Sequence, residues 1–161
     1  MTKRPATLAR APKCALASLA LLLSITTTQA YACYEKAAHY YNVPAALLRA
    51  IAQIESDERP AAINTNRNGS DDLCAMQVNS WWLPKLAAYG ITRPVLLEDF
   101  CACIFAGAWI LAQEIHAVGY SWQAIARYHT RNPARGEAYA RRVLIRAREL
   151  QQQTAYPTGS K

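Results

Sequence analysis

Apolar residues recur at three-and-four spacing through positions 44–56, where Leu47, Leu48, Ile51 and Ile54 line one helix face. Pro44 suits the first turn of that helix, and Arg59-Pro60 stops it. Glu55 falls only about 40° around the helix from Ile51, on the edge of the apolar stripe. A carboxylate held there loses part of its hydration, which favours its protonated form. A protonated carboxyl in a cleft is what a general acid for glycosidic cleavage requires. Glu55 is therefore a candidate general acid, beside the plain reading of a half-exposed Glu at the last turn of an amphipathic helix.

The same reading predicts further helices. One runs from Cys33 to Tyr41, and another starts at Ser80 as its cap and carries Trp81, Trp82, Leu83 and Leu86. Phe100 to Val118 forms a long one ended by Gly119, and Ser121 caps the next. Asn132-Pro133 marks a loop before a last helix from about Arg135 to Gln152. Between Ile63 and Asn79 the Asn, Gly, Ser and Asp residues predict turns with one short hairpin. The expected fold class is α+β, mostly α, one domain over residues 33–152 with a small irregular or β insert. Residues 153–161 read as a disordered tail.

The start of the chain has a different pattern. Lys3, Arg4, Arg10 and Lys13 precede an apolar run from Ala15 to Ile25, and Ala30-Tyr31-Ala32 fits a small-x-small cleavage site. Residues 1–32 are expected to be an export signal cut before Cys33. The run of about 11 apolar residues is too short to span a bilayer, so no stable anchor is expected after cleavage. The four cations of this stretch belong to a formal net charge of +7, which leaves the rest of the chain near +3. Late cations from Arg127 to Arg148 read as a solvated helix face, and no motif points to nucleic acid.

Loss of the signal removes Cys14 and leaves Cys33, Cys74, Cys101 and Cys103. An even set in an exported chain indicates disulfides. Cys101 and Cys103 lie two apart on a helix and diverge by about 200°, so they do not bridge each other. Two connectivities stay open at this point. The C-x-C spacing is not that of zinc ligands, and neither metal nor cofactor is expected.

Four ordered blocks now carry a resemblance: Ala50 to Ser56, Ala62 to Ser70, Met76 to Ser80, and Ala126-Arg127-Tyr128-His129. Over residues 33–148 the chain resembles the lytic transglycosylases of the lysozyme-like superfamily. It is similar in particular to the small, specialised ones attached to type III and type IV secretion, conjugation and pilus systems. The resemblance implies a lysozyme-like fold and cleavage of peptidoglycan between N-acetylmuramic acid and N-acetylglucosamine with a 1,6-anhydro product. Glu55 matches the single catalytic acid. Ser56, Met76, Gln77, Asn79 and Tyr128 match positions expected to meet the glycan strand. A lysozyme-type hydrolase of the same fold and a non-catalytic peptidoglycan-binding assembly factor are the alternative readings.

The resemblance also implies periplasmic location and a partner from an envelope-spanning secretion, conjugation or pilus machine. It bears on the cysteines as well. Cys33 and Cys101 fall where such enzymes often carry a pair. Cys74 replaces a usual glycine and Cys103 a usual asparagine, so these two are expected to pair with each other. A further departure follows Tyr128, where His129-Thr130-Arg131 stands in place of the common Asn-Ala-Gly.

Overall fold

The computed structural model describes residues 30–155. The expected signal lies outside these residues except for 30–32, which form the first turn of helix α1, residues 30–41. Helix α2, Ala45–Ser56, follows Pro44, whose φ of −65° leads directly into a helix. It ends abruptly because Asp57 and Glu58 both adopt left-handed backbone at φ 58°. Their amides turn back to the Gln53 and Ala52 carbonyls at 3.0 and 3.1 Å, so Glu55 occupies the last turn.

The insert is an antiparallel sheet of three strands, one more than a hairpin: β1 Ile63–Thr65, β2 Asp71–Leu73 and β3 Val78–Asn79. Ile63 pairs with Leu73, and Leu73 in turn with Val78. A 3-10 turn over Ser80–Trp82 leads to helix α3, Leu83–Leu86. The cap of the 3-10 turn is Asn79 rather than Ser80: the Asn79 side-chain oxygen Oδ1 accepts from the Trp81 amide at 3.0 Å. The Ser80 hydroxyl instead accepts from the Asp71 amide at 3.0 Å, joining the turn to β2.

A short helix that the pattern did not suggest, α4 Arg93–Glu98, has Pro94 in its first turn. Helix α5, Phe100–Val118, is capped by the Asp99 carboxylate, which accepts from the Ala102 amide at 3.0 Å. Helix α6 is Trp122–His129. Ser121 stands at its N-terminus, but the hydroxyl donates to the Gly119 carbonyl and does not cap. Helix α7, Pro133–Ala155, starts earlier than Arg135 because Asn132 caps it, its side-chain oxygen accepting from the Arg135 amide at 3.1 Å. It also continues past Gln152, so the expected tail is helical as far as Ala155, and residues 156–161 lie outside the described part.

Helix α5 forms the centre. It is long and apolar enough to cross a membrane by composition, yet Cys103, Ile104, Ala106, Ala108 and Leu111 are buried within the domain. Helix α6 packs on α5, and α7 packs on both α6 and α2. Two glycines allow close approach. A Cβ on Gly107 would stand 2.5–2.9 Å from the Met76 side chain, and one on Gly136 would stand 3.0 Å from the Ala126 Cβ. Buried Glu114 of α5 takes a bidentate contact from Arg131 at 2.6 and 2.9 Å and an ion pair from Arg127 at 2.9 Å. A paired acid of this kind is costly to orphan, so it fixes the α6–α7 connection to α5.

Disulfides join Cys33 to Cys101 and Cys74 to Cys103, with Cα separations of 5.1 and 6.1 Å. The first ties α1 to the start of α5, and the second ties the loop between β2 and β3 to the same helix.

Gly107→Ala is expected to destabilise the protein by about 1–3 kcal/mol, because the Met76 side chain has no room to retreat. Urea unfolding measures this; an unchanged midpoint would contradict the packing.

Candidate active site

Glu55 reaches the site from the last turn of α2 with its side chain 12% exposed. Helix α6 brings His129 to it, Nδ1 lying 3.4 Å from Glu55 Oε1. The imidazole is itself stacked on Tyr139 of α7, ring centres 4.4 Å apart and planes 6° from parallel. The acid thus lies where α2, α6 and α7 meet.

Two phenols complete this corner. Burial raises the Tyr128 pKa well above its ordinary value, and the nearby Glu55 and Asp72 carboxylates add to the shift. Tyr139 is raised in the same way, by burial first and the Glu55 carboxylate second. Its hydroxyl is buried without a geometrically sound hydrogen-bond partner among the described residues, although Glu55 is near enough to act on it electrostatically. Both phenols are therefore neutral dipoles beside the acid.

The loop from Cys74 to Gln77 is held from three sides. The Tyr128 hydroxyl donates to the Met76 carbonyl at 2.7 Å, and the Met76 amide contacts Cys103 Sγ at 3.3 Å. The Ser56 hydroxyl donates to the Ala75 carbonyl at 2.8 Å and accepts from the Arg59 amide at 3.1 Å. Ser56 and Met76 are both buried, Met76 completely. Of the residues matched to glycan contacts, these two serve the architecture of the site rather than line it. Gln77 has left-handed backbone at φ 49°, and its side-chain amide donates to the Cys74 carbonyl at 3.0 Å. Asn79 donates to Asp72 Oδ1 at 2.7 Å and to Ser70 Oγ at 3.0 Å.

The other acids are engaged elsewhere. Glu58 accepts from Tyr34 Oη at 3.0 Å, Arg49 Nε at 3.2 Å and Gln53 Nε2 at 2.7 Å. It lines a separate cavity of about 940 Å³ with Tyr34, Arg49, Pro60 and Cys101. Asp71 accepts from Thr65 at 2.7 Å and Arg93 at 2.6 Å, contacts that hold its carboxyl below the usual range. Asp72 accepts from the Asn66 and Asn79 amides.

Residues 32–144 match the family described as "Transglycosylase SLT domain". The chain belongs to the SLT transglycosylase family. It is 39% identical over 138 residues to "Invasion protein IagB" of Salmonella typhimurium, which spans 83% of this chain and 86% of that protein. It is 34% identical over 97 residues to "Protein IpgF" of Shigella flexneri, 60% of this chain and 64% of the relative. "X polypeptide" of Escherichia coli is 37% identical over 97 residues, 60% of this chain and 57% of its own.

Within the SLT family pattern, the departures have physical reasons. Cys74, which by the resemblance stands where glycine is usual, has a φ of 61°, a conformation that glycine adopts without strain. The bridge to Cys103 and the bond from its amide to the Ala62 carbonyl at 2.7 Å hold it there. Arg131, which by the resemblance stands at another usual glycine, binds buried Glu114, as described above. Tyr139 escaped the sequence reading because it lies in an arginine-rich helix whose outer face is polar. The only available signal was its position in the apolar series with Val143 and Ala147.

Because Tyr128 and Tyr139 are held protonated in the fold, stability is intact below about pH 10, where unfolded tyrosines ionise. Above that pH the unfolded chain loses protons that the folded chain keeps, so stability declines. Urea unfolding at pH 9 to 11 is expected to show a steeper loss for the native sequence than for Tyr139→Phe. Equal slopes would show that this phenol is free to ionise in the fold.

Proposed function

We propose that this SLT-family chain is a lytic transglycosylase that cuts peptidoglycan between N-acetylmuramic acid and N-acetylglucosamine. Glu55 gives its proton to the leaving glycosidic oxygen, then accepts the proton of the sugar's own 6-hydroxyl as that oxygen closes the 1,6-anhydro ring. The observation that carries this reading is the unequal treatment of the acids. Glu55 alone sits at the junction of α2, α6 and α7, while Glu58, Asp71 and Glu114 are tied to arginines. A hydrolase of the ordinary kind needs a second free carboxylate across the bond from the first. Asp72, the nearest rival by its influence on Tyr128, is occupied by two amides.

Roles for the neighbouring residues follow from their surroundings. Gln77 gives its amide hydrogens to the Cys74 and Asp72 carbonyls, which leaves its side-chain oxygen on the sheet side of the site to accept from an N-acetyl N–H, while Asn79 holds Asp72 and Ser70 in place beside it. Tyr128, Ser56 and Met76 hold the acid and this strand in register. Tyr139 and His129 cover the opposite side of the carboxylate.

The disulfides and the apolar leader support work in the periplasm. A compact enzyme of one domain has little surface for choosing where to cut. Local opening of the wall for a secretion, conjugation or pilus machine, directed by a partner from that machine, accounts for this economy. That the 39%-identical Salmonella relative is an invasion protein is in keeping with that setting.

Mass spectrometry of digested peptidoglycan tests the reaction. Anhydromuropeptides are expected; products heavier by one water would make the protein a hydrolase, and no products a binder. Glu55→Gln should abolish cleavage while leaving the fold intact, general acid catalysis alone contributing about 10²–10⁴ in rate. Retention of more than about a tenth of the activity would remove Glu55 from this role.

A further inference from the structure

A cavity of about 590 Å³ opens beside the acid on its α7 side, bounded by His129, Arg135, Glu137, Tyr139, Arg141 and Arg142. It begins one side chain from Glu55, since His129 both lines it and lies 3.4 Å from Glu55 Oε1. Tyr139, the other link to Glu55, forms its buried wall.

The charges in this cavity are unbalanced in a specific way. Among the described residues, Arg49, Arg93, Arg127, Arg131, Arg141 and Arg146 each pair with an acid, whereas Arg67 and Arg148, which lie outside the cavity, do not. Arg59 donates to the Ser56 carbonyl. In the cavity itself Glu137 is taken by Arg141 at 3.2 Å, which leaves Arg135 and Arg142 without an acid partner. Two uncompensated guanidinium groups thus stand at the mouth of an open space that adjoins the reacting carboxylate. No acid in the lining remains to answer them. Guanidinium is the side chain best fitted to hold a carboxylate in two parallel hydrogen bonds.

We propose that this cavity binds the carboxylates of the peptide branch carried by the glycan strand next to the bond that is cut. The inference rests on the reading of the chain as a peptidoglycan-cleaving enzyme and adds to it the part of the substrate that is recognised. The sugars themselves are neutral where they meet Gln77, whereas the peptide branch carries free carboxylates. A branch leaving the strand beside Glu55 reaches Arg135 and Arg142 over the stacked pair of His129 and Tyr139. The anchor sets the register of the strand, so that a peptide-bearing muramic acid is the one presented to the acid.

The test compares soluble glycan strands that carry their peptides with strands stripped of them by an amidase. Wild-type protein is expected to favour peptide-bearing strands in kcat/KM by about tenfold, the size set by two partly solvated ion pairs. The double variant Arg135→Ala, Arg142→Ala should cut both kinds of strand at comparable rates, and Arg135→Lys, Arg142→Lys should restore part of the preference. Binding of the two strands to Glu55→Gln protein, followed calorimetrically, reads the same preference without turnover. It therefore separates this inference from a failure of the catalytic reading. Equal affinity of that protein for both strands would overturn the proposal. So would a double variant that keeps the preference, or one that loses the same factor on both strands. If the arginines serve an acidic protein instead, the two strands behave alike and the proposal fails.

Discussion

The structure depends on one buried loop. Between Cys74 and Gln77 the chain makes a turn with two left-handed residues and no glycine, and three helices hold it. Ser56 of α2 takes the Ala75 carbonyl, Tyr128 of α6 takes the Met76 carbonyl, and α5 supplies both the Cys103 bridge and the Gly107 recess for the Met76 side chain. A left-handed non-glycine residue costs of order 1–2 kcal/mol. The loop persists because its surroundings over-determine it. Since Ser56 follows Glu55 directly, whatever fixes the loop also fixes the acid.

That arrangement joins stability to chemistry. Helix α2 contributes the carboxylate, and the paired left-handed residues Asp57 and Glu58 end the helix at the point where the carboxylate meets α6 and α7. Glu58 is not idle in this: its bonds to Tyr34, Arg49 and Gln53 brace the strained corner from the far side. On the near side, His129 and Tyr139 close over the acid as a stacked pair. The buried Glu114 with Arg127 and Arg131 keeps the end of α6 from shifting. Glu58, Asp71, Asp72, Asp99 and Glu114 each have a structural task, and that division of labour is what isolates Glu55.

Much of this was legible in the chain. The three-and-four series around Leu47, Leu48, Ile51 and Ile54 placed Glu55 on a helix edge, and the odd cysteines at 74 and 103 announced a bridge that the structure contains. What escaped reading was long-range. Asn79 rather than Ser80 caps the following turn because β2 takes the Ser80 hydroxyl, a partner nine residues away in the chain. The third strand is two residues long, too short to show a period. Ser56 and Met76 resembled cleft residues by their place in the family pattern, but burial against α5 and the loop makes them supports. Tyr139 was hidden by the arginines around it.

The claim that the loop positions the acid through Ser56 is tested by steady-state kinetics of Ser56→Ala on purified peptidoglycan. Loss of the hydroxyl leaves the Ala75 carbonyl buried without its donor, at a cost of about 1–3 kcal/mol to the folded state. If the account holds, kcat falls at least about tenfold with KM little changed, because the acid is displaced while the glycan-facing amide is not. Ser56→Thr, which keeps the hydroxyl, recovers part of the loss. A Ser56→Ala enzyme with full kcat at a temperature where it is folded would contradict the account.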